Sequence, residues 1–398
     1  MIKDWEVKSL GDVCFFKSGN TIDPSLERIE GDVIYTKVGD MNIQGNEEFI
    51  TTSSRYVNLK DIKENQLIPK GSIIFPKRGG AIATNKKRRI TSLTIVDLNT
   101  MALVPGKEID EDYLFFWFKQ INLADLSNGT SIPQINNYSF DNVLISFPKD
   151  ILEQKRIVKI LDKKFELIDK LKSVTKQQLD SAKELFESRS EELLIGNEQW
   201  EEKTIDDVCI LENGDRGKNY PSNAKLQTEG IPFVSAGNLQ EQDIELKGRN
   251  FLNDKQFALL RSGKFTKGDI LFCLRGSLGK YALVQSIVKG AIASSLVIVK
   301  PKKALVSKEY IMSYFGSGLC KKMIQKYAGG TAQPNLGAKD LKKFFINVPS
   351  IEEQKIICNE LSLLKKETKV LESIFLRKIT EIEELKKSYL HEAFSGKL

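Results

Sequence analysis

Hydrophobic and polar positions follow two different rhythms along this chain, and the change between them occurs twice. Over residues 1–150, short β-branched runs such as Asp32-Val33-Ile34-Tyr35-Thr36 and Ser72-Ile73-Ile74-Phe75 stand between Gly, Asn and Pro turns. That pattern predicts the strands of a mixed α+β domain. Tyr113-Leu114-Phe115-Phe116-Trp117-Phe118 follows the acidic stretch Glu108 to Asp112, and Tyr310-Ile311-Met312-Ser313-Tyr314-Phe315 follows Ser307-Lys308-Glu309. Both read as buried helix starts belonging to a core, in preference to a platform for stacking bases.

From Ile151 the grammar changes. Pro is absent and Gly does not return until Gly196, while apolar residues recur at helical spacing: Ile157, Leu161, Ile168, Leu171, Ala182 and Leu185. This predicts one long helix, or two nearly continuous ones. After residue 350, Ile357, Leu361, Leu364, Leu371, Phe375, Ile382, Leu385 and Tyr389 fall on an alternating 4,3 grid broken at Thr368 and Lys378. Such a grid is a coiled-coil seam. Each stretch of roughly 45 residues would extend about 65 Å, and neither can bury its stripe alone. The two are expected to pack together, antiparallel; a helix from another protein is the competing use of the same stripes.

Specific residues repeat as well as rhythm. Trp5-Glu6-Val7-Lys8, Val13-Cys14 and Gly19 return as Trp200-Glu201-Glu202-Lys203, Val208-Cys209 and Gly214. Lys70-Gly71-Ser72-Ile73-Ile74-Phe75 matches Lys267-Gly268-Asp269-Ile270-Leu271-Phe272, with Arg78-Gly79 and Arg275-Gly276 beyond. Gly129-Thr130 and Gly330-Thr331 recur, and Pro148 and Pro349 each lead into Glu-Gln-Lys, at 153–155 and 353–355. The offset of roughly 200 residues is far too long for a solenoid repeat. The expected organisation is a domain over 1–150, a helical segment over 151–197, a second domain over 198–350 and a second helical segment over 351–398.

With 398 residues and 41% hydrophobic content, two ordinary cores are affordable. The five cysteines include no C-x-x-C pair, and Cys14 and Cys209 are repeat-equivalent, which suits buried small side chains in a reducing compartment. No signal-peptide core or membrane-length apolar run is present, so a cytoplasmic location is expected. A net charge of +7 is compatible with a nucleic-acid partner.

Catalytic patterns are weak. His391, the single histidine, lies near the end of the last helical stretch without a nucleophile motif beside it. Gly276-Ser277-Leu278-Gly279-Lys280 is too short for a phosphate loop, and Tyr281 replaces the metal-binding hydroxyl. Asp150 with Glu153-Gln154-Lys155 imitates a nuclease metal site, repeated at Glu353. The acids sit at a helix start, however, and Ser350 replaces the upstream Asp, so helix-dipole placement accounts for them. A metal-dependent nuclease using Glu153 and Glu353 remains one alternative, and a coiled-coil scaffold binding only proteins another.

Several loops carry donors and acceptors suited to phosphates and base edges. In the first half these supply Arg78, Lys86, Lys87, Arg88, Arg89, Thr130, Ser131, Gln134 and Asn136; in the second, Arg216, Lys218, Asn219, Arg275, Ser277, Lys280, Thr331, Gln333 and Asn335. Matched loops with diverged residues suggest a duplicated reader of two unlike half-sites.

The ordered motifs resemble the specificity subunit of type I restriction-modification systems. The carriers are Trp5 to Val13, Lys267 to Leu271, Arg275 to Lys280, Gly330 to Leu336, and the junctions Phe147-Pro148…Leu152-Glu153-Gln154-Lys155-Arg156-Ile157 and Val348-Pro349…Glu353-Gln354-Lys355-Ile356-Ile357. The first copy departs from the pattern, with Phe75-Pro76-Lys77-Arg78-Gly79-Gly80-Ala81 facing Arg275 to Lys280. The resemblance implies an α+β fold of two pseudo-symmetric mixed α/β target-recognition domains separated by two long antiparallel coiled-coil helices. It implies double-stranded DNA as ligand, helices that set the spacer between half-sites, and docking to two modification subunits and to restriction subunits in host defence. It also implies no catalytic centre, cofactor or metal in this chain. S-adenosylmethionine, ATP and magnesium would belong to the partner subunits.

Overall fold

The computed structural model describes residues 4–128, 132–217, 220–222, 226–240, 243–246, 250–329 and 335–398. The chain divides into two compact units, one of Met1–Thr175 with Arg377–Leu398, the other of Lys176–Leu376. Each unit therefore contains one globular domain and parts of both long helices.

In the first domain, Cys14–Ser18, Thr100–Pro105, Ile73–Pro76, Arg88–Ile90 and Phe49–Ile50 form a five-stranded sheet in that order. Ile73, Ile74 and Phe75 are all fully buried, which explains a run that is continuously apolar instead of alternating. A second sheet pairs Val33–Thr36 antiparallel with Tyr56–Val57 and parallel with Thr94–Val96. The helix Glu111–Lys119 begins at Asp110, whose carboxylate accepts the Asp112 and Tyr113 N–H groups. Tyr113 to Phe118 are all buried, as a core segment should be.

The second domain repeats the scheme. Cys209–Asn213, Leu296–Pro301, Ile270–Cys273 and Tyr281–Leu283 form one sheet; Phe251–Leu252, Ile231–Val234, Lys289–Ile292 and Lys264–Thr266 form the other. Tyr310 lies in the helix Lys308–Phe315. Its hydroxyl donates to the Asn347 carbonyl at 2.8 Å, as Tyr113 does to Ser146 at 3.0 Å. Cys14 and Cys209 are buried, and burial pushes each thiol up to about 12.

Each domain closes on itself before its helix begins. Trp5–Ser9 pairs antiparallel with Leu144–Pro148, and Glu201–Thr204 with Phe345–Val348. The middle residue of each Glu-Gln-Lys segment locks this closure. Gln154 is fully buried; its carbonyl oxygen accepts the Asp110 N–H at 2.7 Å, and its amide donates to the Glu108 and Pro148 carbonyls at 3.0 and 2.8 Å. Gln354 does the same with the Ser307 N–H at 2.8 Å and the Leu305 and Pro349 carbonyls at 2.9 and 3.0 Å. One side chain thus satisfies three backbone groups, one buried and two part-buried, and ties the long helix to its domain.

Both long helices are continuous, Ile151–Ile195 over 45 residues and Ile351–Phe394 over 44. Gly196 ends the first in the left-handed region at φ 66°, with its N–H bonded to the Glu192 carbonyl. In the first unit, Lys172 pairs with Glu383, Lys386 with Asp169 at 3.0 Å, and the Lys164 ammonium lies 3.6 Å from the Tyr389 ring centre. Partner numbers fall as the first helix advances, so the packing is antiparallel. In the second unit Arg189 meets Glu360 at 2.7 Å, and Leu194 shares a core with Ile357 and Leu361.

The seam corrects the sequence reading in two places. Leu171 and Leu185 are exposed, at 51% and 67%, as are Leu371 and Leu385 in the second helix. The buried line in the first helix instead passes through Leu161, Phe165, Ile168, Thr175 and Leu179. Threonine can sit there because its hydroxyl bonds one turn back, Thr175 to the Leu171 carbonyl and Thr368 to the Leu364 carbonyl, both at 2.8 Å. Thr368 is accordingly a buried seam position and not a break.

Candidate nucleic-acid interface

In both domains two loops distant in sequence are sewn together at their bases. After the central strand Ile73–Pro76, Arg78 forms a backbone bridge with Gln134. The Gly79 N–H meets the Pro133 carbonyl and the Ile135 N–H meets the Lys77 carbonyl, each at 2.8 Å. In the second domain Arg275 bridges Asn335, and the Leu336 N–H meets the Leu274 carbonyl at 3.0 Å. Ile135 and Leu336 are buried anchors.

Each Gly-Thr loop is also closed at its neck. Gln134 donates its N–H to the Asn128 side chain at 2.9 Å and accepts the Asn128 N–H at 3.1 Å. Gly329 and Asn335 exchange both backbone bonds at 3.0 Å. A glycine directly follows the matching strands Cys14–Ser18 and Cys209–Asn213: a Cβ on Gly19, after Ser18, would meet the Asp97 carbonyl oxygen at 1.9 Å, and one on Gly214, after Asn213, the Ala293 oxygen at 3.0 Å.

Side chains projecting here are cationic and amide. Arg78 and Arg275 are exposed, without a side-chain ion pair to the described residues. Lys77 donates to the Ser18 hydroxyl at 2.9 Å, and Arg216 to the Ser294 carbonyl at 3.2 Å. Arg216, Arg275, Asn213 and Lys339 line an open concavity of about 370 Å³. Asp340 shares its wall, but Lys343 pairs with that carboxylate at 2.9 Å. The resulting surface suits an anion such as a phosphate.

The basic cluster at 86–89 is put to another use. Lys86 bonds the Asn42 side chain. Lys87 is buried, donating to the Asn85 side chain at 2.9 Å and the Ile121 carbonyl at 2.7 Å, and burial lowers its pKa to about 8. Arg88 donates to the Lys87 and Met41 carbonyls. Arg89 pairs with Asp112 and with Glu111 at 3.5 Å and lies over the Phe49 and Phe115 rings. Arg88 and Arg89 stand half-buried in a sheet strand, where Arg89 is neutralised by its carboxylate partners and Arg88 commits its donors to backbone carbonyls. For Lys87, Arg88 and Arg89 this corrects the expectation of a DNA-facing run.

The Gly276 to Lys280 segment is a strand-joining turn: the Lys280 carbonyl accepts the Cys273 N–H at 2.7 Å, and the Ser277 carbonyl accepts the Lys280 N–H at 3.1 Å. Its Lys280 ammonium reaches the Leu239 carbonyl at 3.4 Å. Thr130, Ser131, Lys218, Asn219, Thr331 and Gln333 lie outside the described residues. Sequence reasoning missed Tyr138 and Lys339, which follow the sewn loops; the buried pairs Ile135 with Phe140 and Leu336 with Leu341 would have bracketed them.

Glu153 and Glu353 have structural partners. Two Glu153 oxygens face Arg156 at 2.7 and 2.8 Å, which lowers the carboxyl's pKa. Glu353 accepts the Ser350 hydroxyl and N–H, and its pKa is lowered by those bonds.

A family model for the type I restriction modification DNA specificity domain matches residues 2–181 and again 197–383. Two such domains in one chain define a duplicated DNA-recognition protein. Among curated relatives, the MjaVIII specificity subunit of Methanocaldococcus jannaschii is 28% identical, with 100% of this chain and 93% of that protein covered. The MjaIX specificity subunit of the same organism is 24% identical over 87% of this chain and 83% of its own length. In fold, the HsdS subunit from Thermoanaerobacter tengcongensis superposes with a TM-score of 0.60 at 17% identity, covering 100% and 98% of the two chains. A chain from a structure of complex assembly and conformational transition of the type I R-M system gives 0.76 at 17% identity, covering 100% and 99%. The chain belongs to the type I restriction-modification specificity subunits, the non-catalytic DNA-recognition component of those systems.

Proposed function

We propose that each globular domain reads one half of a bipartite duplex through its sewn loops, and that the helices fix the spacer and dock two modification subunits. The observation that carries the first part is the repeated backbone bridge, Arg78 to Gln134 and Arg275 to Asn335. It presents an exposed guanidinium beside an amide in both copies, a pairing suited to phosphates, guanine and adenine. The residues around it differ between copies, which suits unlike half-sites.

Docking is supported by apolar residues on helix faces away from the seam. Leu167, Leu171 and Val174 are exposed in the first helix, and Ile356, Leu363 and Val370 in the second. Their spacing places each set on one face, and two such stripes suit two partner subunits. Restriction subunits would join the same assembly. Chemistry with S-adenosylmethionine, ATP and magnesium would reside in the partners, with this chain choosing where it acts. We expect the chain to work in the cytoplasm; among the described residues no helix is long and apolar enough to cross a membrane.

Binding of a target duplex by the assembled complex, measured against salt concentration, tests the interface. Arg78→Ala and Arg275→Ala should each weaken binding about tenfold and reduce the salt slope by about one. Arg89→Ala should leave the slope alone. Unchanged binding in both of the first two variants would refute the assignment.

A further inference from the structure

On the first domain's sewn loop, three alternate residues form a hydrogen-bonded line. Gln134 Nε2 donates to Asn136 Oδ1 at 3.0 Å, and Asn136 Nδ2 donates to the Tyr138 hydroxyl at 2.9 Å. The backbone beneath is fixed by the Arg78 bridge, the Asn128 neck and the buried Ile135 and Phe140. Tyr138 itself is 65% exposed. An aromatic ring left in water beside two ordered amides on a rigid loop is a surface prepared for a ligand.

The bonds already made determine what remains to offer. Gln134 keeps one N–H and its carbonyl oxygen, a donor and acceptor set side by side. Reversing both amides would leave it two N–H groups and one lone pair on the carbonyl oxygen, still a donor beside an acceptor, so the conclusion holds for either direction of the line. That pair matches N7 and the N6 amino group of adenine in the major groove.

We propose that Gln134 reads an adenine in the half-site contacted by the first domain. Asn136 and Tyr138 are positioning residues that hold the plane of its amide. The inference rests on the reading of this chain as a DNA-specificity subunit and assigns one base to one residue. At the matching register the second domain has Asn335, Gly337 and Lys339, which cannot build the same line, so its half-site is read independently.

The test uses the full chain assembled with its modification subunits, methylating a duplex library randomised across the target. Gln134→Ala should cost one adenine position in one half-site its preference, on the order of tenfold or more. Gln134→Glu leaves only acceptors and should move that position toward cytosine, whose N4 amino group donates. Tyr138→Phe keeps the ring but removes the hydroxyl, and should relax the same position partially and no other. The opposite half-site should stay intact in all three, which also shows that the variants fold and assemble. Unchanged preferences in both Gln134 variants, an affected position that is not adenine, or a uniform loss across both half-sites would overturn the assignment. A wild-type library yielding no split motif would instead overturn the reading beneath it.

Discussion

Gln154 and Gln354 show how a residue can look like chemistry and serve architecture. Each lies between an acid and a lysine, in a segment that imitates a metal-dependent nuclease, yet each is fully buried and holds three backbone groups. Gln154→Ala should destabilise the first unit by about 2–4 kcal/mol, because two carbonyls and an N–H lose their partner inside the protein. Glu153→Gln disturbs only an exposed pair with Arg156 and should cost under about 1 kcal/mol. Denaturant unfolding of the two variants checks this ranking; equal losses would contradict it. The same separation of appearance from use governs the arginines. Composition could not distinguish Arg78 from Arg89, since both stand beside other basic residues, Lys77 and Arg88. The difference lies in long-range partners: Glu111 and Asp112 arrive from a helix that sequence reasoning placed in the core without seeing what it would neutralise.

The long helices were legible at the scale of the element because their periodicity is local, and so was their need for a partner. Their exact seam was not. A reading based on residue identity chose Leu171 and Leu185, whereas packing chose Phe165 and Thr175, whose hydroxyl is satisfied within its own helix. The leucines off the seam are then the informative ones. Leu161→Ala should destabilise the first unit by about 2–5 kcal/mol, the cost of emptying a filled core site. Leu167→Ser combined with Leu171→Ser should change stability by about 0.5 kcal/mol or less while weakening association with the modification subunit. Thermal melts and sedimentation of the mixed components check both halves. Normal association by the double variant would remove the docking face from the proposal.

Duplication accounts for the architecture of the whole molecule and for why so much of it could be anticipated. The repeat announces two domains, and the glycine- and proline-free stretches announce the helices. The backbone bridges that sew each pair of loops together could not be anticipated, because Arg78 with Gln134 and Arg275 with Asn335 are contacts between loops far apart in sequence. If the helices set the spacing of two half-sites, lengthening both should lengthen the gap. Inserting seven residues into each, on either side of the unit boundary near Thr175 and Leu376, preserves the seam and adds about 10 Å of helix. The spacer should grow by about three base pairs at 3.4 Å per step, with both half-sites unchanged, when target sites are mapped by methylation.

The function proposed for this chain is selection of the DNA sequence on which its partners act. The direct measurement is a genome-wide map of modified adenines in cells carrying the chain with its modification subunits, compared with cells lacking this chain alone. A split motif with a fixed gap that disappears on deletion is the expected result. An unchanged map, with the modification subunits still expressed, would contradict it.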